Sequence, residues 1–532
     1  MQGRRVHLAR PFRRGSGPAS EDAGGDGGRR PLARPFVVLA SAAAVLSAAV
    51  ALSSCGSGAD AGTRAAAPSA VPTPSRPAGP AADLSTELSG GDGPFLGLPN
   101  QADMTGHHFV EHEYAAAGTA TDYKAQGALT HDGRWTFTPD GTAPYRTRVL
   151  VRRPASARAF SGTVVVEWLN VSGGLDVDPD WASTQEEILR RGDIWVGVSA
   201  QRIGVTGGDV AVGGGPGSDG AGKGLTGIDS ARYGSLTHPG DGFSFDMFTQ
   251  IARAVRAGAG LGGARPARLI AAGESQSAFA MVTYYNGVQP LTHAFDGFLI
   301  HSRGASGLPL AAPGTAAGIA DALAAAVPTA LRTDQSARVL DIQTESDLVG
   351  LLNSSVSRQP DSDRFRLWEV AGTAHADAHL LGPAAAQTDC GAPINDGPMH
   401  IVAKAALRSL TTWISTGQAP PTAPRIELTA GDSPQIRRDA DAIALGGVRT
   451  PPVNVAVDVL SGVPGPHPST YCLLLGSTRP LPAQRIAELH PNRAAYVARY
   501  NADLARTIAA GFALADDRAA LAAYAKPDRI PA

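Results

Sequence analysis

The chain has few cysteines and almost no excess charge of either sign. Its 532 residues include three cysteines, with 46 basic and 48 acidic residues and a formal net charge of −2. Neither a cysteine quartet nor an H-E-x-x-H motif supplies the usual ligands of a zinc site. A nearly neutral chain also has no strong field that would attract nucleic acid. We therefore expect no metal, no cofactor and no nucleic-acid partner.

Internal repeats and coiled-coil heptads are also missing. A chain of this length without repeats can enclose a large core, either as two domains or as one domain with insertions. Glycine and proline, in contrast, are abundant, with 63 and 40 residues. They are concentrated near the N-terminus and in loops, such as the glycine-rich segment 204–227.

Residues 1–55 have the pattern of an export signal. Arginine-rich residues 4–34 precede an apolar run at 36–52, which leads into L-S-S-C at 52–55. This order of segments is typical of a secretory signal, and its end resembles the lipobox of bacterial lipoproteins, whose cysteine is acylated. We predict a lipid-anchored protein on the outer face of the cell membrane that begins at Cys55. A cleaved secreted form and an uncleaved membrane anchor are the alternatives, and arginines 29–30 leave the export route open.

Residues 56–93 consist mostly of small residues and proline. Such a segment buries too little apolar surface to order itself, and we expect a flexible linker. The composition is globular from about residue 94, which predicts one folded domain over 94–532. Cys390 and Cys472 lie in that domain and would form a single disulfide in an oxidising compartment. Two unpaired buried thiols are the alternative.

Short apolar runs alternate with segments of helical spacing in the predicted domain. Helical spacing occurs at 181–191 and 245–257, and arginines alternate with apolar residues at 145–151, which we interpret as an edge strand. Nearly continuous apolar strands between helices indicate a mostly parallel sheet covered on both faces, which is an α/β fold. The apolar runs predicted as strands are 163–169, 193–198, 295–301, 338–343 and 364–370.

A further strand, which starts at Leu269, leads into a turn of small residues with Ser275 at its tip and then into a helix. This is the pattern of a nucleophile elbow, a sharp turn that exposes a serine Oγ. The residues two before and two after the serine must be small. Gly273 meets this requirement, while Ser277 stands where glycine is usual. The alternative is an ordinary serine at a junction between a strand and a helix.

An acid and a histidine follow later strands, in the order in which such hydrolases use them. Glu345 and Asp347 come after one predicted strand, and His375 comes after the next. Because the carboxyl ends of parallel strands form the site in open α/β sheets, these groups can meet. We predict Ser275 as nucleophile and His375 as its base. Strand-to-acid spacing favours Asp347 as the carboxylate that orients the imidazole, with Glu345 as second choice.

Several longer phrases resemble the α/β-hydrolase superfamily, and within it a poorly characterised bacterial family of α/β-hydrolase domain-containing proteins. They are V-V-V-E-W-L-N-V-S-G-G, G-E-S-Q-S-A, T-E-S-D, G-T-A-H-A-D and A-P-I-N-D-G-P, and the resemblance spans about residues 94–528. It implies the α/β-hydrolase fold and an acyl-enzyme mechanism. It also implies an oxyanion hole formed by backbone N–H groups of Gln276 and of the Asn170-Val171 loop. A plain turn is the alternative for that loop.

Other polar residues permit competing interpretations. The spacing of His375, Asp377 and His379 permits a metal site, but we expect the last two to lie in a loop or at the start of a helix. We interpret His301 as a core histidine and Glu274 as a polar group at a strand end without a catalytic role.

Two long segments lie outside the predicted sheet. Residues 302–336 are too long for a simple crossover and predict a cap over the serine, with a longer packing helix as the alternative. The chain from residue 420 onwards predicts a C-terminal extension that wraps the core.

Two functions fit these observations. One is an exported serine hydrolase that cleaves a carboxylic ester, or less readily an amide, of a small molecule. The other is a surface lipoprotein that uses a hydrolase-like fold as a binding module. No lipase-like apolar lid, sugar-binding aromatic row or thioesterase feature identifies the substrate.

Overall fold

The computed structural model describes residues 76–98, 102–213, 220–325, 327–467 and 469–531. The predicted export signal, Cys55 and most of the predicted linker lie outside these residues. In the described part of the chain, no helix has the length and apolarity that a membrane span requires. The strands are β1 (Asp83–Glu87), β2 (Phe109–Ala125), β3 (Phe137–Pro154), β4 (Thr163–Trp168), β5 (Ile194–Val198), β6 (Arg268–Glu274), β7 (Gly297–His301), β8 (Arg338–Thr344), β9 (Phe365–Val370), β10 (Asp458–Ser461) and β11 (Ser477–Pro480).

Nine of these strands form one sheet in the order β1-β2-β3-β5-β4-β6-β7-β8-β9. The first four in this order pair antiparallel, and the strands from β5 to β9 pair parallel. The predicted mostly parallel sheet is therefore confirmed.

The described helices are α1 (Pro179–Arg191), α2 (Arg202–Thr206), α3 (Gly224–Ile228), α4 (Ser230–Tyr233), α5 (Ser244–Arg256), α6 (Gln276–Thr283), α7 (Gln289–Thr292), α8 (Ile319–Ala324), α9 (Glu345–Leu348), α10 (Ala378–Leu381), α11 (Met399–Thr416), α12 (Pro451–Asn454), α13 (Thr470–Leu475), α14 (Ala483–Leu489), α15 (Arg493–Ala509) and α16 (Arg518–Ala522).

Helices cover both faces of the sheet, as predicted. Side chains of a strand alternate between the two faces. Val164 and Val166 of β4 accordingly lie in one apolar core with α5 and α6, while Val165 lies in a second core with α1 and α11. Because strand β4 is buried on both faces, it reads as a continuous apolar run in the sequence.

The strand predicted at 145–151 is part of β3, but it is not an edge strand. β3 lies between β2 and β5. Two of its four arginines are buried and paired with carboxylates: Arg148 Nη2 lies 2.7 Å from Asp176 Oδ2, and Arg152 Nη1 lies 2.7 Å from Asp178 Oδ2. Ion pairing allows these charged residues to occupy a central strand, which the alternation of charges alone did not indicate.

The predicted linker also differs from the structure. Residues 83–87, inside the predicted range 56–93, form β1 and pair with β2 at the edge of the sheet. Ala82, Leu84 and Leu88 are buried there. The backbone of a neighbouring strand supplies hydrogen bonds, so a few apolar side chains suffice to order this segment. The folded domain therefore starts before residue 94.

The two long segments pack against different parts of the sheet. The described residues of 302–336 contain the six-residue helix α8, and Leu308, Ala317 and Ile319 join the core formed by α5 and α6. The C-terminal extension contributes to a third apolar core. This core includes Tyr496 and Tyr500 of α15 and residues in and next to β10 and β11. The first segment is thus a packing segment of the domain.

Candidate active site

Ser275 lies at the turn between β6 and α6, at the carboxyl end of a central strand. Its φ of 56° and ψ of −120° are rare for any residue other than glycine,. A Cβ atom added to Gly273 would lie 2.7 Å from the carbonyl oxygen of Ser277 and 2.9 Å from its Cβ. The turn therefore requires a residue without a side chain at 273 and a small one at 277. Backbone strain of this kind is concentrated at functional sites.

His375 follows β9 and reaches Ser275 from a separate loop. Its Nε2 lies 2.8 Å from Ser275 Oγ, and its Nδ1 lies 2.7 Å from Asp347 Oδ1. The backbone N–H of His375 donates to Ser346 Oγ at 2.7 Å, which fixes the loop. The structure thus brings the predicted nucleophile, base and acid into one hydrogen-bonded chain.

Asp347 is held by its second oxygen. Asp347 Oδ2 accepts hydrogen bonds from the backbone N–H of Thr344 at 2.6 Å and from its hydroxyl at 2.7 Å. Burial alone would raise the pKa of Asp347, but the nearby imidazole of His375 and these hydrogen bonds outweigh burial and hold the pKa below its ordinary value,. The carboxylate therefore stays ionised and fixed against the Nδ1 side of the imidazole.

Glu345, the second choice for the acid, lies elsewhere. Its Oε1 accepts from the backbone N–H of Gly372 at 2.7 Å, and its Oε2 accepts from Arg438 Nη2 at 2.7 Å and from the N–H of Gly462 at 3.0 Å. These partners attach the C-terminal extension to the loop that follows β9. Of the two candidate carboxylates, Asp347 is the one that contacts His375.

Three backbone N–H groups are expected to line an oxyanion hole, and they differ in whether they already donate a hydrogen bond within the protein. Gln276 is the first residue of α6, so its backbone N–H has no partner four residues earlier within the helix,. Among the described residues, the backbone N–H of Val171 has no hydrogen-bond acceptor. The N–H of Asn170, however, donates to the carbonyl of Val177 at 3.0 Å. The expectation that this N–H lines the oxyanion hole is therefore wrong, because the loop closes on itself there.

Glu274 is the polar group expected at the end of β6, and its side chain also contacts His375. Its Oε1 lies 3.2 Å from His375 Nε2, and its side chain is 6% exposed. The side-chain amide of Asn170 donates to the Glu274 carbonyl at 3.0 Å and to Oε2 at 3.3 Å. Burial raises the pKa of Glu274 to about 7, against the opposing effect of His375 and His301,. The position directly before the serine was the available signal.

The two carboxylates also affect His375 itself. Burial would lower the pKa of the imidazole, but Glu274 and Asp347 outweigh burial and raise the pKa to about 9,. His301 lies in the core, as predicted, and its Nδ1 lies 3.0 Å from Asp180 Oδ1. Both carboxylates therefore favour the charged form of the His375 imidazole.

The histidines and carboxylate considered for a metal site do not converge. Asp377 caps α10 by accepting the N–H of Leu380 at 2.9 Å. The ring of His379 stacks on that of His400 at 3.7 Å between centroids. Within the described ranges, no group of three or more potential ligands is arranged to hold a metal ion.

A cavity of about 450 Å³ opens onto Ser275 and His375. Among the described residues, Glu274 and His375 are the titratable side chains in its lining, to which no lysine or arginine contributes. The described part of the predicted cap, 302–336, does not line it either, because that segment packs into the core. The remaining lining residues are mostly apolar: Gly97, Leu98, Asn170, Ser172, Gly173, Leu175, Val177, Pro179, Val212, Ala376, Leu380, Leu381, Pro383, Ala384, Tyr471, Leu474 and Leu475.

A disulfide joins two walls of this cavity. Cys390 and Cys472 are bonded, with their Cα atoms 5.6 Å apart. One lining segment, 376–384, precedes Cys390 in the chain, and the other, 471–475, contains Cys472. The covalent link therefore connects two segments of the C-terminal half that both line this cavity.

Comparison with solved structures finds similar proteins at low sequence identity. An α/β serine hydrolase without a lid from Xanthomonas campestris is 13% identical, with 54% of this chain and 94% of that chain covered and a TM-score of 0.28. Esterases from Rhizomucor miehei are 12% identical, with 56% and 85% covered and a TM-score of 0.31. A glucuronoyl esterase from Teredinibacter turnerae is 13% identical, with 40% and 44% covered and a TM-score of 0.20.

Comparison with curated proteins gives no significant match. The family described as "Alpha/beta hydrolase domain" matches residues 74–523, which is most of the chain. This match includes β1 and extends through α16. The predicted resemblance is thereby confirmed, and the chain belongs to this α/β-hydrolase family.

Proposed function

We propose that the protein is a serine hydrolase that cleaves uncharged carboxylic esters through an acyl-enzyme intermediate. The observation that carries the proposal is the hydrogen-bonded chain from Ser275 Oγ through His375 to Asp347, with distances of 2.8 and 2.7 Å, at the base of an apolar cavity. A nucleophile, a base and an orienting acid in this arrangement are the parts that acyl transfer requires.

In the proposed first half-reaction, Ser275 Oγ attacks the ester carbonyl carbon while its proton passes to His375 Nε2. The backbone N–H groups of Gln276 and Val171 would stabilise the oxyanion of the tetrahedral intermediate. The imidazolium then gives its proton to the leaving alcohol, and the acyl group stays on the serine. In the second half-reaction, water attacks the acyl-enzyme by the same steps. Asp347 holds the Nδ1–H tautomer throughout.

The cavity supports a neutral, apolar substrate. The described part of the lining provides aliphatic side chains such as Leu175, Leu380 and Leu475, and no basic residue there would pair with an anionic group. Each methylene that moves from water into such a lining contributes about 0.8 kcal/mol, or roughly a fourfold gain. We expect kcat/KM to rise with acyl length until the cavity of about 450 Å³ is filled.

We further propose that the mature protein is anchored to the outer face of the cell membrane through an acylated Cys55. The export pattern of residues 1–55 motivates this proposal. The disulfide between Cys390 and Cys472 is in keeping with an oxidising compartment,. Replacement Cys55→Ser should leave the precursor uncut or release the protein from the membrane fraction. An unmodified mature N-terminus at another position would contradict the anchor.

The catalytic proposal is tested with a series of p-nitrophenyl esters of increasing acyl length. The wild-type protein should hydrolyse them, and Ser275→Ala should reduce turnover to background while leaving the fold intact by circular dichroism. Ser277→Ala, two residues further along the same turn, is the matched control and should keep most of the activity. Tight binding of the esters without hydrolysis by the wild-type protein would support a binding module instead.

A further inference from the structure

We infer that Glu274 is a positioning residue that shares the reacting nitrogen of His375 with Ser275 and sets the pH at which this base becomes free. The inference rests on the proposed function, since it assigns Nε2 the task of accepting the serine proton. In this arrangement two carboxylates contact the imidazole of His375: Asp347 contacts Nδ1, and Glu274 contacts Nε2.

One ring nitrogen faces two partners. His375 Nε2 lies 2.8 Å from Ser275 Oγ and 3.2 Å from Glu274 Oε1. A neutral imidazole that donates Nδ1–H to Asp347 has a lone pair on Nε2, and this lone pair can accept the serine hydroxyl. An ionised carboxylate repels that lone pair but attracts an Nε2–H. Ionised Glu274 therefore favours the imidazolium, in which His375 has no free lone pair for the serine.

The same contact assists the reaction once it has started. Proton transfer from Ser275 produces the imidazolium, whose Nε2–H then lies within reach of Glu274 Oε1 as well as of the leaving oxygen. A carboxylate at 3.2 Å stabilises this charge in a buried site,. Glu274 thus shifts catalysis toward alkaline pH while stabilising the charge that forms in the transition state.

The position of Glu274 is fixed by the sheet. It is the last residue of β6 and pairs in register with His301, the last residue of β7. The N–H of Ser275 donates to the carbonyl of His301 at 3.0 Å, and the amide of Asn170 holds Glu274 by its carbonyl and by Oε2. The carboxylate consequently has little freedom to turn away from His375.

Other titratable groups face this pair from neighbouring elements. His301 pairs with Asp180 of α1, while its Nε2 has no hydrogen-bond partner among the described atoms. A second cavity, of about 10 Å³, is lined by Glu274 and His375 together with residues of several elements. These are Pro179, Ser183, His301, Ala374, Ala376, Asp377, Leu380, Met399 and His400.

Burial and neighbouring charges also shift the pKa values of the titratable residues around this pair. Asp180 and Glu274 outweigh the effect of burial and raise the pKa of His301. Burial raises the pKa of Asp377 to about 6 and lowers that of His400 well below its ordinary value. A protonated His301 therefore offsets part of the Glu274 charge, and the contact of Glu274 with His375 remains the one at the reacting nitrogen.

Removal of the Glu274 charge should lower the pKa of His375. Ionised Glu274 raises the pKa of His375, so the neutral base forms at a higher pH than it would without this carboxylate. Glu274→Gln removes the charge but keeps the size of the side chain and an oxygen for the amide of Asn170. Loss of an opposite charge at this distance lowers the pKa of the imidazole by about one unit or more.

The test is the pH dependence of fluorophosphonate labelling of the full chain, from about pH 5 to about pH 10, since labelling needs the free base but no ester substrate. In Glu274→Gln the midpoint of the rising limb should lie at least about one pH unit lower than in the wild type. Glu274→Ala should show the same shift if the amide variant folds poorly. Glu427→Gln, an exposed carboxylate paired with Arg437, is the control and should leave the midpoint unchanged.

Failure of the role of Glu274 and failure of the proposed hydrolase function would give different labelling results. An equal loss of labelling at all pH values, with an unchanged midpoint, would show that Glu274 is only structural and would overturn the inference. Absence of labelling in the wild type would overturn the proposed function. In that case the NMR titration of His375 in Ser275→Ala, with and without Glu274→Gln, still decides the role of Glu274: a downward shift of about one pH unit supports it, and no shift overturns it.

Discussion

Replacement of Asp347 by asparagine should disable the base while leaving the fold nearly unchanged. In the native structure, Asp347 Oδ2 accepts from the backbone N–H and the hydroxyl of Thr344, while Oδ1 contacts Nδ1 of His375. A backbone N–H can only donate. The asparagine oxygen should therefore occupy the Oδ2 position, which leaves the NH2 group facing Nδ1.

This orientation forces the wrong tautomer on His375. An NH2 group opposite Nδ1 favours a lone pair on Nδ1 and a proton on Nε2, so the imidazole can no longer accept the proton of Ser275. In enzymes with this arrangement, such a change costs roughly 10⁴ in turnover, which is about 5.5 kcal/mol of transition-state stabilisation. We expect a loss of this order in kcat for a p-nitrophenyl ester, measured at equal folded fraction.

Glu345→Gln is the matched comparison, because Glu345 lies two residues away and is also buried. Its contacts with Gly372, Arg438 and Gly462 connect the C-terminal extension. The variant should lose stability but keep kcat per folded molecule within about threefold, since it does not touch the imidazole. A large loss of kcat in Glu345→Gln and a small one in Asp347→Asn would refute the assignment of the acid.

Three further predictions concern the elbow, the disulfide and pH. Gly273→Ala should displace the turn and abolish most activity, because its Cβ would lie 2.7 Å from the Ser277 carbonyl oxygen; full activity with an unchanged Tm would contradict this. Cys390→Ser with Cys472→Ser should lower stability by roughly 2–5 kcal/mol and raise KM most for long acyl esters, as the bond links two cavity walls; an unchanged chain-length profile would argue against it. The raised pKa of His375 stabilises the fold fully below about pH 6.5, and this contribution disappears as the pH rises through about 9,; Tm should fall over this interval more in the wild type than in His375→Gln.

The hydrogen-bonded arrangement of Ser275, His375 and Asp347 could be predicted because of where these residues stand in the chain. Ser275, Asp347 and His375 each follow a predicted parallel strand, and the carboxyl ends of such strands meet at one edge of the sheet. Strand position alone, however, did not separate Asp347 from Glu345. That choice depends on the short helix α9, whose first turn directs one carboxylate to His375 and the other to Arg438.

The walls of the cavity could not be predicted from local patterns. The segments 376–384 and 471–475 are far apart in the chain and have no common sequence signal. The apolar residues of 302–336 indicated a packed segment, but not whether it packs over the serine or into the core beside α5 and α6. Hydrophobic content predicts burial without naming the partner surface.

The contacts of polar residues near the site could not be predicted from the sequence either. Glu274 lies at the strand end as expected, but a sequence does not show how far the elbow rotates this side chain toward His375. Asn170 was expected to offer its backbone N–H, but that group closes the loop onto Val177. Both outcomes depend on backbone geometry in turns, where a change of one dihedral angle redirects a hydrogen bond.

The most direct test of the central claim is to locate the site of covalent modification. The intact protein should take up one fluorophosphonate group, and peptide mapping by mass spectrometry should place it on Ser275. His375→Ala should react far more slowly than the wild type at the same pH, because the serine loses its base. A modification on another residue, or labelling that persists in Ser275→Ala, would contradict the assignment of Ser275 as the nucleophile.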